Sequence, residues 1–379
     1  MTPDVSDDTT PLILACARAA GTTDPNEIRR LASAVTDWEL VRDTASAHSL
    51  LPLLAARLRG ANVALPLCVE DAVASAVARN LGLVASLLRA RALLAAADIQ
   101  TIAFKGPALS VTLYDDPALR QSNDIDLLVR RDQALAARRL LQAADYRYRL
   151  DLTSNEEDRF LRYSNEYALR DPDGSIVELS WALVPRHLAL DLDADRFFRD
   201  SRAIELGGAP VGVLAPHDQL VALTVHGGKH LWERLAWITD VAQLLASTPD
   251  LDVDLSLSRA RSAGAERLVL VAAAMCRDVL GAHIPPGLIA GIEGDPVVHA
   301  LTSTLRRRLL PLDRRHRERI LEPLTLRLRE RGRDRATIVS RLAWTSTVED
   351  WRWVRLPHAL SFAYPVVRPF RLAKKYLLS

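Results

Sequence analysis

Asp124 and Asp126 lie two positions apart in a short apolar segment, residues 124–129 (DIDLLV). Alternate residues of a β-strand point to the same face of a sheet, so we expect both carboxylates to project together and Ile125 and Leu127 to point the other way. Mg²⁺ prefers oxygen ligands and keeps water or substrate phosphate in its remaining positions. The spacing therefore predicts a Mg²⁺ site, although such pairs also arise by chance among 47 acidic residues.

A candidate phosphate site lies about twenty residues upstream. Lys105 and Gly106 separate an apolar segment, residues 99–104, from a helix that we predict over Pro107–Tyr114, because proline is favoured at the first helical position. The free N–H groups and dipole of a helix N-terminus attract anions, and glycine lets a phosphate approach the backbone closely. Lys105 and Arg120 are candidates for charged contacts with phosphate. The alternative for each is an ordinary surface charge or ion pair.

A third carboxylate, Glu178, lies in the middle of a predicted strand. Residues 164–170 and 175–182 flank Asp-Pro-Asp-Gly, a strong turn sequence, and are predicted to pair as antiparallel strands. A charge placed beside a buried face needs a reason, because burying it unpaired is costly. If this strand neighbours the aspartate strand, the three carboxylates could hold two metals and one of them could accept the proton from an attacking hydroxyl. The alternative is a salt bridge to one of the many arginines.

Residues 226–240 are predicted to form one helix with a polar face. The residues that recur at three- and four-residue steps are His226, Lys229 or His230, Glu233, Trp237 and Asp240. Two glycines inside this segment suggest the close approach of a backbone or ligand. Lys229 is the favoured contact for a nucleotide phosphate or base, followed by His226. A structural role for the histidines is favoured over zinc binding, because glycine follows His226 where the metalloprotease pattern requires glutamate.

The elements around these residues indicate an α+β fold. Residues 11–98 show helical periodicity, residues 99–214 mix short strands with helices, and helical periodicity returns from residue 216. We therefore predict a helical N-terminal region (1–98), a core with a small mixed β-sheet (99–214) and a helical C-terminal region (215–379).

Composition bounds the class of protein. With 379 residues, 49% hydrophobic and 25% charged, the chain is expected to fold into globular domains. It contains no uninterrupted apolar run of about 18 residues and its start does not resemble a signal peptide, so no transmembrane segment is predicted. Three scattered cysteines make no disulfide framework. These features together predict a cytoplasmic protein.

The C-terminal segment is basic. Residues 306–379 carry 19 basic and 7 acidic residues. This charge suggests either an anionic partner or docking of the tail on the more acidic body. Aromatic residues and four basic ones (Arg368, Arg371, Lys374 and Lys375) make a weak peripheral membrane contact a further interpretation.

Three segments together resemble the uncharacterised nucleotidyltransferase family of the DNA polymerase beta-like superfamily: residues 104–129, 175–181 (SIVELSW) and 226–245. The resemblance implies a nucleotidyltransferase core in which Asp124 and Asp126 form the metal-binding pair and Glu178 is the third carboxylate. It also assigns Gly106 to the loop before the triphosphate-facing helix. Proline follows that glycine here, whereas the superfamily usually has Gly-Gly or Gly-Ser, and Lys105 is the candidate compensation.

The resemblance implies an enzyme that uses Mg²⁺, or alternatively Mn²⁺. It would move a nucleoside monophosphate from an NTP such as ATP to an acceptor hydroxyl or phosphate on a small molecule or peptide. Natural-product or polysaccharide modification is the expected setting, and a nucleic-acid partner is not favoured. The alternatives are a catalytically retired core that binds nucleotide or RNA, and transfer of another group such as a sugar.

Overall fold

The N-terminal part of the chain is helical, as its apolar periodicity predicts. The computed structural model of the protein describes residues 8–150, 152–312, 323–345, 348–354 and 364–377. Its first five helices are α1 (Thr9–Ala17), α2 (Pro25–Ala34), α3 (Trp38–Ala47), α4 (Leu51–Gly60) and α5 (Leu67–Ala95).

A small mixed β-sheet follows, and the predicted α+β fold is confirmed. Its strands are β1 (Ile102–Ala103), β2 (Asp124–Leu128), β3 (Arg147–Tyr148), β4 (Glu166–Arg170) and β5 (Ile176–Ser180). They lie in the order β1-β2-β5-β4-β3; β2 and β5 are parallel, and the other neighbours are antiparallel. The helices between these strands are α6 (Gly106–Tyr114), α7 (Ala134–Ala143) and α8 (Ser154–Tyr163).

A short connection leads from the sheet to a second bundle of helices. It contains a 3₁₀ turn (Arg186–Leu188), α9 (Ala194–Asp200) and a hairpin of β6 (Arg202–Leu206) with β7 (Ala209–Val213). The helices that follow are α10 (Pro216–Lys229), α11 (Leu235–Ser247), α12 (Val253–Ala263), α13 (Glu266–Leu280), α14 (Pro286–Gly294), α15 (Pro296–Leu309), α16 (Pro323–Arg327), α17 (Gly332–Trp344), α18 (Val348–Trp353) and α19 (Tyr364–Leu377).

Two of the three hydrophobic cores found among the described residues hold most of these elements together. One joins apolar residues of α1–α5 to those of α10–α15, so the helices on either side of the sheet in sequence pack on each other in space. The other lies under the sheet, between its buried face and α5 and α7. The sheet is therefore anchored to the bundle through α5, which contributes side chains to both cores. The predicted boundaries between three regions stay a prediction.

Helix α5 is the described helix whose length and composition would suffice to cross a bilayer. It packs against α3, α4, α6, α7 and β2, and its buried positions include Leu83, Leu87 and Leu94. Arg79, Arg89 and Arg91 interrupt its apolar surface.

The described part of the basic tail docks on the body. Arg329 donates hydrogen bonds to the carbonyl oxygens of Leu188 and Ala189 at 2.8 and 3.0 Å. Arg368 and Arg371 both pair with the buried Asp350, so these two side chains, which the membrane interpretation used, serve packing within the tail. Residues 355–363 and the side chain of Lys375 lie outside the described residues.

Gly106 begins α6 directly against β2. Its φ is +64°, in the left-handed region, and a Cβ at this position would lie 3.1 Å from the carbonyl oxygen of Asp124. Glycine is needed here for both its backbone conformation and its lack of a side chain, and this close approach sets the helix N-terminus beside the aspartate strand.

We expect Gly106→Ala to destabilise the protein more than Gly21→Ala. Gly21 also has positive φ (+78°), but a Cβ there would meet nothing within 4 Å. Both changes incur the left-handed cost of about 1–2 kcal/mol, and only Gly106→Ala adds the contact with β2. Urea unfolding measures the difference. Equal losses of unfolding free energy would show that the approach to β2 is not a constraint.

His48 joins the N-terminal helices to the C-terminal bundle. Its Nδ1 accepts a hydrogen bond from the backbone N–H of Leu235 at 3.2 Å, so its Nε2 carries the proton and donates to the carbonyl oxygen of Leu312 at 2.8 Å. Burial lowers the pKa of His48, with a further lowering by Arg234, against the hydrogen bond to Leu312. The neutral form of the His48 ring is the one that fits these two hydrogen bonds.

Stability is therefore expected to fall as pH drops below about 6.5, because the unfolded chain then binds a proton that folded His48 resists. The loss continues down to the folded pKa, at no more than about 1.4 kcal/mol per pH unit. Urea unfolding between pH 7.5 and about 5 should show a shallower pH dependence in His48→Gln than in wild type. The exposed His299 provides the control variant His299→Gln, which should keep the wild-type slope. The same slope in all three proteins would contradict the assignment.

Candidate active site

The register of β2 and β5 brings the predicted carboxylates to one face of the sheet. Asp126 lies beside Glu178, and two residues earlier on each strand Asp124 lies beside Ile176. Because neighbouring strands of a sheet keep their pleats in phase, Asp124, Asp126 and Glu178 share a face. The residues that alternate with these carboxylates on both strands, Ile125 among them, are fully buried on the opposite face.

This face forms the wall of a cavity of about 350 Å³. All eight residues predicted from the sequence line it: Lys105, Gly106, Arg120, Asp124, Asp126, Glu178, His226 and Lys229. The cavity lies between the sheet, the start of α6 and the junction of α10 with α11. Residues from distant parts of the chain thus contribute to one site.

A fourth carboxylate, Glu166, also lines the cavity and was missed in the sequence. It lies on β4 opposite Ser180, and its Oε2 accepts a hydrogen bond from the side chain of Asn165 at 2.6 Å. The alternation of β4 contained the signal. Tyr167 and Leu169 are apolar and buried, so Glu166 had to point to the face that carries Glu178.

Lys105 does not face an open phosphate site; it is ion-paired with Asp126. Asp126 is only 1% exposed, and among the described residues its carboxylate has no polar partner other than the Lys105 ammonium. Burial acts to lower the pKa of Lys105, but the charges of Asp126, Asp124 and Glu178 outweigh it and raise that pKa. The ammonium therefore stays charged and acts as the cation of the carboxylate cluster.

Crowding of the carboxylates disfavours their charged forms. Burial raises the pKa of Glu178 to about 8, with further raising by Glu166, Asp126 and Asp124 against Lys105. Burial and the charge of Asp126 also raise the pKa of Asp124, against Lys105 and Arg120. One lysine thus does not balance the cluster, and a divalent cation would relieve the remaining repulsion.

Arg120 holds the loop that leads into β2. Its Nε donates to Asp240 at 2.9 Å and its Nη1 to the hydroxyl of Ser122 at 3.0 Å. Asn80 on α5 fastens the same loop, donating to the carbonyl oxygens of Ala118 and Arg120. Arg120 lines the cavity, but two of its nitrogens are already committed to positioning the aspartate strand.

The prediction of a single helix over residues 226–240 is wrong. Helix α10 ends at Lys229 and α11 begins at Leu235; between them, Leu231 and Trp232 adopt left-handed φ values of 53° and 50°. Most of the predicted polar face nevertheless lines the cavity: His226, Lys229, His230, Glu233 and Trp237. Asp240 does not line it; this residue is buried and pairs with Arg120.

The close approach predicted at Gly227 and Gly228 exists, but side chains make it. A Cβ at Gly227 would lie 2.4 Å from the indole Nε1 of Trp232, and one at Gly228 would lie 2.3 Å from Cδ2 of Leu268. The glycines therefore serve packing at the end of α10. They make room for the fully buried Trp232, which folds back over the helix.

His226 belongs to a small aromatic cluster on the cavity wall. Its ring centroid lies 5.1 Å from that of His230 and 5.3 Å from that of Trp237. Burial, followed by the charge of Lys105, lowers the pKa of His226 well below its usual range. His226 is therefore neutral near pH 7.

One group among the described residues has three ligand atoms all within 4.8 Å of one another, and it lies elsewhere: Asp200, His217 and Asp218. Arg259 pairs with both aspartates, at 2.7 Å from Asp200 and in close contact with Asp218. Since one guanidinium already bridges them, this group is best explained as an ion-pair cluster that joins α9, α10 and α12.

We expect the pair of Arg120 and Asp240 to be strongly coupled. Removing one partner leaves a buried charge, so Arg120→Met and Asp240→Leu should each cost about 3–5 kcal/mol in unfolding free energy, and the double variant less than their sum. Urea unfolding of the four proteins in the cycle measures the coupling.

The exposed pair of Arg261 and Glu266 offers a matched control, for which the same cycle should give about 1 kcal/mol or less. A coupling energy for Arg120 and Asp240 no larger than this would contradict the positioning role.

Three comparisons with known proteins bear on this site. The family model described as uncharacterised nucleotidyltransferase matches residues 34–281, well over half of the chain, and this span includes every residue of the cavity discussed above. No curated protein matches the chain. Among solved structures, the chain is similar to an antigenic nucleotidyltransferase-like protein from Paracoccidioides brasiliensis at 15% identity and a TM-score of 0.30, covering 57% of this chain and 96% of that one.

Proposed function

This chain belongs to the uncharacterised nucleotidyltransferase family, and we propose that it transfers a nucleoside monophosphate from an NTP to an acceptor hydroxyl or phosphate. The observation that carries the proposal is the placement of Asp124, Asp126 and Glu178 on one sheet face, in a cavity that also receives the N-terminus of α6. Carboxylates beside a helix N-terminus provide a cation site next to an anion site, as transfer from a metal–triphosphate complex requires.

The residues present fit a divalent metal. Asp124 and Asp126 supply oxygen donors, and the buried Asp126 already pairs with a cation, the Lys105 ammonium, with no other polar partner among the described residues. Glu178 is the further donor on the neighbouring strand. Mg²⁺, or Mn²⁺ in its place, would neutralise charge on the transferring phosphoryl group.

The α6 end of the cavity is suited to the triphosphate. The N–H groups of the first turn of α6 lack intrahelical partners, apart from Pro107, which has no N–H. With Asp126 as a metal ligand, the Lys105 ammonium would be free to turn to a phosphate oxygen. Lys229 is exposed at the cavity wall and available for the same charge.

Glu178 is the proposed proton acceptor. In the transfer the acceptor O–H gives its proton to Glu178, the acceptor oxygen bonds to the α-phosphorus, and the bond to the leaving pyrophosphate breaks. With its pKa raised to about 8 by burial and the neighbouring carboxylates, Glu178 is mostly protonated at neutral pH when no cation is bound. A bound cation would lower that pKa toward the operating pH.

We propose a small molecule or peptide as the acceptor and the cytoplasm as the location. All three cysteines are free thiols, which fits a reducing compartment. The docking of tail arginines on backbone carbonyls leaves fewer of them for an RNA partner, in agreement with a nucleic acid not being favoured.

Isothermal titration of each Mg²⁺–NTP tests the proposal. Wild type should bind at least one of the four, and Asp124→Asn should lose about tenfold or more in affinity, because removal of one metal ligand leaves the triphosphate charge poorly balanced. The exposed Asp132, just beyond β2, gives the control Asp132→Asn, which should bind as wild type does. Flat titrations with all four nucleotides, or equal binding by Asp124→Asn, would contradict it.

A further inference from the structure

A cluster of basic residues lies next to the cavity, and apart from Lys229, which lines the cavity, its members have no part in the function proposed so far. We call it the basic collar; it consists of Arg186, His187, Lys229 and Arg341. Arg186 and His187 belong to the 3₁₀ turn after β5, Lys229 ends α10, and Arg341 lies on α17, which packs on that turn.

The positive charges of the collar have no carboxylate partner among the described residues. Arg341 donates to the carbonyl oxygen of Arg186 at 2.6 Å, and Arg186 to that of Arg162 at 3.5 Å. Lys229 makes no ion pair with any residue that the structure describes, and it is exposed. A fourth nearby cation, Arg368, is ion-paired with Asp350.

Several other buried or half-buried arginines that the structure describes do have a carboxylate partner. Arg120, Arg138 and Arg259 each meet an aspartate or glutamate within 3 Å. Like charges gathered without counter-charge raise the local positive potential and are destabilising unless an anion joins them. The low pKa of His187, about 4, reports the same field: burial is its largest cause, followed by Arg368, Lys229 and Arg341.

Along the chain, the collar begins just after β5, the strand that carries the proposed proton acceptor Glu178. From Glu178 the chain runs along β5 to Leu183, which lines the cavity, and then directly to Arg186. The proposed triphosphate position at Gly106 lies on the other flank, next to β2. An anion held by the collar would therefore belong to the molecule that gives its proton to Glu178.

We propose that the basic collar binds a phosphate group carried by the acceptor, so that this enzyme modifies an acceptor that is already phosphorylated. That the ligand is the acceptor rests on the proposed function. That the collar binds an anion rests on the lack of carboxylate partners for its cations among the described residues. Guanidinium groups suit this ligand, because they bind phosphate oxygens through paired N–H donors.

The test uses inorganic phosphate as the probe and the broadening of its ³¹P resonance by the full-length protein as the readout, in EDTA at neutral pH and constant ionic strength. Wild type should broaden the line saturably. Arg186→Gln with Arg341→Gln should lower the affinity about tenfold or more, because two charge-assisted hydrogen-bond donors to the anion are lost. Lys229→Gln, which removes no described contact, should also weaken binding.

Arg30 and Arg306 are exposed helix residues, and Arg30→Gln with Arg306→Gln is the charge-matched control. It should bind phosphate as wild type does. Equal weakening by this control, or no saturable broadening by wild type, would overturn the proposal.

A second arm separates the acceptor's phosphate from those of the nucleotide. Phosphate binding is repeated after saturation with Mg²⁺ and an ATP analogue that carries a methylene bridge between its α- and β-phosphates. Retained binding supports the proposal, and full displacement overturns it, since the collar would then hold the nucleotide. If titration shows that no nucleotide binds, the proposed function fails by itself, and the EDTA arm still decides whether the collar is an anion site.

Discussion

The parallel pairing of β2 with β5 is the constraint on which the site depends. It sets Asp126 beside Glu178 and leaves Asp124 on the same face, so carboxylates that would repel one another are held together by the backbone. Hydrophobic burial on the reverse of both strands supplies the stabilisation that offsets this repulsion. Lys105, placed by the start of α6, supplies the cation within the cluster. The backbone of the sheet thus holds these carboxylates close together although their charges repel one another.

Much of this could be predicted from local sequence. Strand alternation placed the two aspartates on one face, and the turn at residues 171–174 predicted the hairpin that carries Glu178. Proline after Gly106 predicted the start of α6, to within one residue. These features depend on rules that act over a few residues, namely side-chain alternation, turn chemistry and helix capping.

What could not be predicted depends on tertiary contacts. The break between α10 and α11 follows from the burial of Trp232 against Gly227, and periodicity alone continues through it. The pairing of Arg120 with Asp240 joins residues 120 positions apart, so nothing nearby in sequence separates it from a phosphate contact. Lys105 lies on Asp126 because β1 and β2 are neighbours. Glu166 is the exception, because both its strand and the partner strand that carries Glu178 were predicted, and the alternation along β4 was enough to place its side chain.

The most direct measurement of the central claim is the anomalous difference map of a crystal grown with Mn²⁺ and a non-hydrolysable NTP. The account predicts a peak between the carboxylates of Asp124 and Asp126, within reach of Glu178, with the Lys105 ammonium moved off Asp126 toward phosphate. A map with its peak at Asp200, His217 and Asp218 instead, or with Lys105 still paired to Asp126 and the nucleotide bound elsewhere, would contradict it.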